Sequence, residues 1–178
     1  MESKKIEVSI EGIAPLLQHR FPDEENKEGK VQKKQRVYVD KDDAEKALYR
    51  DKDGKICQPA NHIVGCLLRA STAYKFEGQK TYKDAVKGGV FIEPNMIPHK
   101  ITDWVIDRQP VVIMRARIMR ARPRFDKWAL DFKIEIIDER IDIPTFKDIL
   151  EYAGQYIGLG DFRPRYGRFK VTKFQVKK

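Results

Sequence analysis

The order in which two periodicities follow one another constrains this chain most. "KIEVSIEG" alternates, with Ile6, Val8 and Ile10 on one side and Glu7, Ser9 and Glu11 on the other, the pattern of a half-buried strand. "ICQPANHIVGCLLRASTAYKF" changes to helical spacing: Ile63, Leu67, Ala70 and Tyr74 share one face, Val64 and Leu68 lie beside them, and Pro59 suits a first turn. "VVIMRARIMRARPRFDKWALDFKIEII" alternates twice and reads as a hairpin. Val112, Met114, Ala116 and Ile118 make one face of its first strand; Trp128, Leu130, Phe132, Ile134 and Ile136 make one face of its second. "DIPTFKDILEYAGQYIG" returns to helical spacing through Phe146, Ile149, Leu150, Ala153 and Ile157, opened near Pro144. "RFKVTKFQV" is a closing strand whose alternation shifts near Thr172, the signature of a bulge. Strand, helix, hairpin, helix, strand predicts an α+β fold of the ferredoxin-like or RRM-like βαββαβ kind, a four-stranded antiparallel sheet with two helices on one face.

The remaining segments fit around that frame. "PDEENKEGKVQKKQ" reads as a long exposed loop, "DKDDAEKALYR" as a short helix with acidic residues at its start, "EGQKTYKDAVKGG" as a loop, and "VFIEP" as a short strand. Residues 95–110 show no firm period. The expected organisation is a single domain over residues 1–178 with insertions at about 21–55 and 75–110.

Charge narrows the function. Lys and Arg number 36 against 27 Asp and Glu, a net charge of +9, which favours a polyanionic partner, nucleic acid ahead of an anionic membrane surface. Cys57 and Cys66 have neither CxxC spacing nor a matching His cluster, so they read as two reduced core thiols rather than metal ligands. No P-loop and no Ser/His/Asp pattern stands out, and no cofactor or metal is expected. The charged, alternating start is unlike a signal peptide, and no apolar run is long enough for a bilayer. The expectation is a cytoplasmic protein, of a prokaryotic or virus-infected prokaryotic cell, with no membrane partner.

The densest chemistry lies in "GQYIGLGDFRPRYGRFKV", between the last helix and the last strand. Gly158 and Gly160 can end the helix at positive φ and let a ligand approach closely; the N–H groups they free would form a phosphate nest. Arg163, Arg165 and Arg168 can fork onto phosphate oxygens, while Phe162 and Tyr166 can stack on bases or anchor the loop. The plainer reading is a glycine cap before a tight connection with solvated arginines.

"IGLGDFRPRYGRFKV" also resembles the glycine-rich loop of the RAMP superfamily of CRISPR proteins, with Gly158 and Gly160 on its first pair and Tyr166-Gly167 on its aromatic-Gly pair. "ICQPANHIVGCLLRASTAY" is similar to a second landmark of the Cas-seven-like effector backbone subunits, through Pro59, Gly65, Leu67, Leu68 and Arg69, with Asn61 and His62 where that branch has small polar residues. "VSIEGIAPLL" resembles its first strand. Arg165 stands where that family has Gly, and Val64 where it has Lys. The resemblance implies an RRM-like fold and sequence-independent binding of single-stranded, guide-like RNA by copies that multimerise along it, in an effector complex for antiviral defence or as a solitary, mobile-element-encoded relative.

Candidate nucleic-acid contacts are therefore Asn61 and His62 at a helix start, Arg69, the hairpin arginines Arg115, Arg117, Arg122 and Arg124 (with Arg120 in the same run), and Gly158, Gly160, Arg163, Arg165, Tyr166, Gly167 and Arg168 in the loop. Two other readings stand beside this one. The first is a metal-independent endoribonuclease of the RAMP type, with His19, Asp23 or His62 as its acid–base candidates. The second is a structural assembly protein whose basic face meets acidic protein partners.

Overall fold

A computed structural model describes residues 3–21, 40–113 and 115–177. It is a mixed α/β molecule of antiparallel sheets and four α-helices among those residues. Strands β1 (Lys4–Gly12), β4 (Val90–Glu93), β8 (Ala129–Ile136) and β9 (Phe169–Lys177) form a four-stranded sheet in the order β4-β8-β1-β9. Helices α2 (Ala60–Ala70) and α4 (Ile143–Tyr152) pack into the same buried cluster as the sheet's apolar positions. Alternation in β1 buries Ile6, Val8 and Ile10; β8 adds Leu130, Phe132, Ile134 and Ile136 in register with it. Ile63, Cys66 and Leu67 of α2 and Phe146, Ile149 and Leu150 of α4 fill the space above them. Cys57 and Cys66 are free and buried, and burial pushes the Cys66 thiol up to about 12.

Local chemistry sets the element ends. Asp142 caps α4, its carboxylate accepting from the Thr145 N–H at 2.9 Å, with Pro144 in the first turn. The helix then widens into one π-helical turn, Ala153–Ile157, which Gly158 stops at φ 77°. The bulge expected near Thr172 is there: Ser9 pairs with Lys173 but Ile10 pairs with Val171, and the skipped Thr172 bonds the Ser9 carbonyl through its hydroxyl.

The expected hairpin is not the one that forms. The run from Val111 reverses between Ile113 and Ala116, so that β6 (Val105–Ile113) pairs with β7 (Ala116–Phe125), and β7 also pairs with the two-residue β2 (Leu16–Leu17). Strand β8 follows β7 closely in the chain but belongs to the other sheet. The position that the first hairpin strand was expected to take is held by β4, the "VFIE" strand, paired with β8. Periodicity found the strands, but a period of two carries no information about which strand is the neighbour. The aperiodic stretch 95–110 contains β5 (Met96–Pro98), paired with β3 (Cys57–Pro59), and most of β6. Residues 83–89, read as loop, form helix α3 (Lys83–Gly89), with Ala85 and Val86 buried. The acidic-start helix is α1 (Asp40–Lys46). No helix among the described residues is long and apolar enough to cross a membrane.

Candidate nucleic-acid interface

The sheet face away from the helices is closed to a polyanion by its own charges. Lys173 and Lys177 clamp Glu7, Lys170 reaches Glu11 and Lys100 reaches Asp131. The two lysines hold the Glu7 carboxyl down at about 2. The shallow hollow there, about 620 Å³, is lined by Glu7, Glu93 and Asp131 as well as Lys133 and Lys173. Carboxylates are interleaved with every lysine row, so a phosphate strand laid across this face meets repulsion as often as attraction.

The glycine-arginine loop, which leads into β9, is sewn to the β1–β2 segment by backbone bonds. Gly167 N–H donates to Pro15 O at 2.7 Å, Asp161 N–H to Leu17 O at 2.9 Å, and Leu159 N–H to Gly167 O at 2.9 Å. In return Ile13 N–H donates to Arg168 O at 2.9 Å. The glycines make that closeness feasible. A Cβ at Gly160 would overlap the Leu17 carbonyl, one at Gly167 would overlap the Leu159 carbonyl, and both residues have positive φ. This corrects the expectation of a phosphate nest: the N–H groups of Gly158, Leu159, Asp161, Phe162, Tyr166 and Gly167 already have acceptors in the protein. The close approach permitted at these glycines is taken by the chain's own backbone, and what the loop offers a ligand is its side chains.

Those side chains divide into two sets. Arg163 and Arg165 are exposed and Arg168 half-buried, with no carboxylate partner among the described residues. Arg122 is only 2% exposed, pairs closely with Asp161 and lies 4.4 Å from the Phe162 ring centroid. Arg124 bonds Asp126 at 2.8 Å and Asp107 at 3.4 Å. Arg122 and Arg124, expected on nucleic acid, are thus engaged by carboxylates of the protein, Arg122 buried and Arg124 a third exposed. Phe162 covers Arg122, and the Tyr166 hydroxyl accepts from Gln109 Nε2 at 3.0 Å, so both loop aromatics serve as anchors. Arg115, at φ 69° in the β6–β7 turn, and Arg117 beside it are exposed on the hairpin arm. Arg69 is exposed in the last turn of α2, about 12 Å along the helix from Asn61 at 1.5 Å per residue.

Between loop and helix lies a cleft of about 290 Å³ that the sequence did not delimit. It is lined by His19, Phe21, Tyr49, His62, Arg120, Gly160 and Asp161. Two of the three histidines therefore share one wall system with the loop, and the Arg163 charge is felt at His62. Both rings are held towards their neutral form. Burial and then Arg120 lower the pKa of His19, against Asp161; burial and then Arg163 lower that of His62. The Arg120 guanidinium donates to His19 Nε2 at 3.1 Å, which leaves the ring hydrogen on Nδ1, 4.0 Å from an Asp161 oxygen. The lone pair of His19 is therefore occupied by a cation, the opposite of what a general base requires. Asp23 lies outside the described residues. Asn61 is exposed beside His62 in the first turn of α2, which no side chain caps. Phe21, Tyr49 and Asp161 are the lining residues that sequence reasoning missed as site residues, while Arg120 belongs to the arginine run the sequence had already singled out.

No family model matches the chain, and no curated protein matches it. A solved structure similar to it is a cryo-EM structure of the Type III-B Cmr-beta bound to cognate target RNA, with 13% identity and a TM-score of 0.63. The likeness covers 99% of this chain and 61% of that one, so the chain spans about three fifths of its neighbour's length.

Proposed function

We propose that the protein binds single-stranded RNA without reading its sequence, as a repeated subunit along the strand, through the corner where the glycine-arginine loop meets the start of α2. The observation that carries this reading is the pair of exposed guanidinium groups, Arg163 and Arg165, on a loop whose backbone is tied down at both ends. A tethered loop loses little freedom on binding, so more of each charge-assisted bond appears as affinity. The net charge of +9, the location of His62 and Arg120 on the adjoining cleft, and the fold likeness to a chain in an RNA-bound Type III-B assembly support it. The strand order β4-β8-β1-β9, with α2 and α4 on one side, supports reading the main sheet as an RRM-like βαββαβ unit. Recognition is then chiefly of phosphates, because Tyr166 is bonded to Gln109 and Phe162 lies against Arg122.

The test is fluorescence anisotropy of a labelled single-stranded RNA of mixed sequence. Wild type binds, and Arg163→Ala with Arg165→Ala weakens binding about tenfold or more, alike for unrelated sequences. Absence of binding by wild type at low salt removes the reading. Multimerisation has its own support: Val105, Ile106, Val112 and Met119 leave apolar surface exposed along the β6–β7 arm, with Val112 70% exposed. Mass measurement with and without bound RNA tests it, a monomer in both states being the adverse result. The endoribonuclease alternative keeps one candidate among the described residues, His62 on the cleft wall, and is tested by incubation with RNA in EDTA; intact RNA rejects it.

A further inference from the structure

A buried chain of amides behind the cleft has no evident role in packing. Gln18 and Gln58 are 1% and 0% exposed, and between them they reach from the backbone of Tyr49 and Cys57 to the His62 ring. The Tyr49 N–H donates to Gln18 Oε1 at 3.0 Å, and Gln18 Nε2 donates to Cys57 O at 2.9 Å. These two backbone groups fix the orientation of the Gln18 amide, since the flipped form would set donor against donor and acceptor against acceptor. The remaining contact of Gln18 Nε2, to His99 Nε2, is longer at 3.3 Å, so its second hydrogen goes to Gln58 Oε1 at 3.0 Å. That contact in turn fixes Gln58, whose Nε2 then faces His62 Nδ1 at 2.6 Å. An amide nitrogen has only hydrogens to offer, so Nδ1 must be the bare nitrogen of the ring.

We infer that the Gln18–Gln58 relay locks His62 in the tautomer carrying its hydrogen on Nε2, making the neutral ring a hydrogen-bond donor in the cleft for a phosphodiester oxygen. No protein partner for Nε2 is present among the described residues, and that nitrogen is not among the buried polar atoms left without one. The groups that face this ring are Tyr49, whose ring meets it edge-on at 5.1 Å, His19, Arg120 and Asp161 across the cleft, and Arg163 from the loop. Four of these are neutral or cationic donors, and the fifth, Asp161, is already paired with Arg122, so the cleft suits an acceptor that brings negative charge. Gln58 acts through His62 and is a positioning residue. The occupant depends on the RNA-binding reading above; the tautomer does not.

The experiment has one arm for each half. In protein labelled with nitrogen-15, long-range proton–nitrogen correlation at pH 7 assigns the imidazole hydrogen directly. Wild type is expected to show His62 with hydrogen on Nε2. In Gln58→Glu a carboxylate faces Nδ1, so the hydrogen moves there and the ring becomes imidazolium at higher pH than in wild type. A wild-type ring protonated on Nδ1, or unchanged in Gln58→Glu with a folded amide spectrum, overturns the relay. In the second arm a single-stranded oligouridylate is the probe. His62→Phe keeps the ring and lacks the donor; it is expected to bind about tenfold more weakly, with Gln58→Glu acquiring a pH-dependent affinity that wild type lacks. Binding by His62→Phe equal to wild type overturns the donor role, whereas no binding by wild type removes the RNA reading and leaves the tautomer to be judged by the spectrum.

Discussion

His99 shows how burial alone can make one residue govern the acid limit of the fold. It is 6% exposed, tilted against the Phe125 ring, and burial pushes its pKa down to about 4. The unfolded chain protonates this residue near its ordinary value of about 6.5, before the folded one does. Stability is therefore complete above about pH 6.5 and declines as pH falls towards 4, by on the order of 3 kcal/mol from this residue. Urea denaturation between pH 4 and 7 should show that slope, and His99→Leu should reduce it, leaving the smaller share of His19 and His62. Gly167 is a second such residue. Its φ is 75° and a Cβ would strike the Leu159 carbonyl, so Gly167→Ala is expected to cost ~3 kcal/mol or more, read as a lower urea midpoint with m unchanged. The positive φ of the helix-ending glycines could be foreseen from their setting, but their neighbour could not. Nothing within the loop's own residues says that the connection after β1 would run against it.

At the scale of elements, the two main helices were legible to within a few residues, because each carries both an apolar stripe and a start signal. Asp142 is such a signal, and its loss has a definite size: Asp142→Ala should cost about 1 kcal/mol, measured by thermal or urea unfolding, while Asp142→Asn should cost much less. Strands were legible as strands and illegible as partners. The arginines at 115, 117, 120, 122 and 124 lie in one run of sequence, and alternation assigns them to faces without saying which face is inside. Pairing of β7 with β6 and β2 turns Arg122 towards Asp161 and Arg124 towards Asp107, leaving Arg117 exposed and Arg120 in the cleft. Helix α3 was missed because seven residues with two glycines offer too little periodicity, and its stability comes from packing Ala85 and Val86.

For the whole molecule, the arrangement of charge matters more than its sum. The sheet face neutralises its lysines with carboxylates, while the loop corner leaves two arginines without them. Polyanion binding should accordingly follow the corner. For single-stranded RNA each phosphate contact adds about 0.7 to the slope of log affinity against log salt, so Arg163→Ala with Arg165→Ala should reduce that slope by ~1.4. Replacement of Lys170 and Lys173 by Ala, on the sheet face, should leave it nearly unchanged. The sequence by itself determined the positive balance, the order of strands and helices, and the places where glycine and proline punctuate them, since each depends only on neighbours along the chain. The tertiary structure alone decided which arginines are open, that the glycine loop packs on the chain's own backbone, and that His19 and His62 meet across one cleft. Those outcomes depend on contacts between residues dozens of positions apart, and strand pairing, which a two-residue period does not encode, is what brings them together.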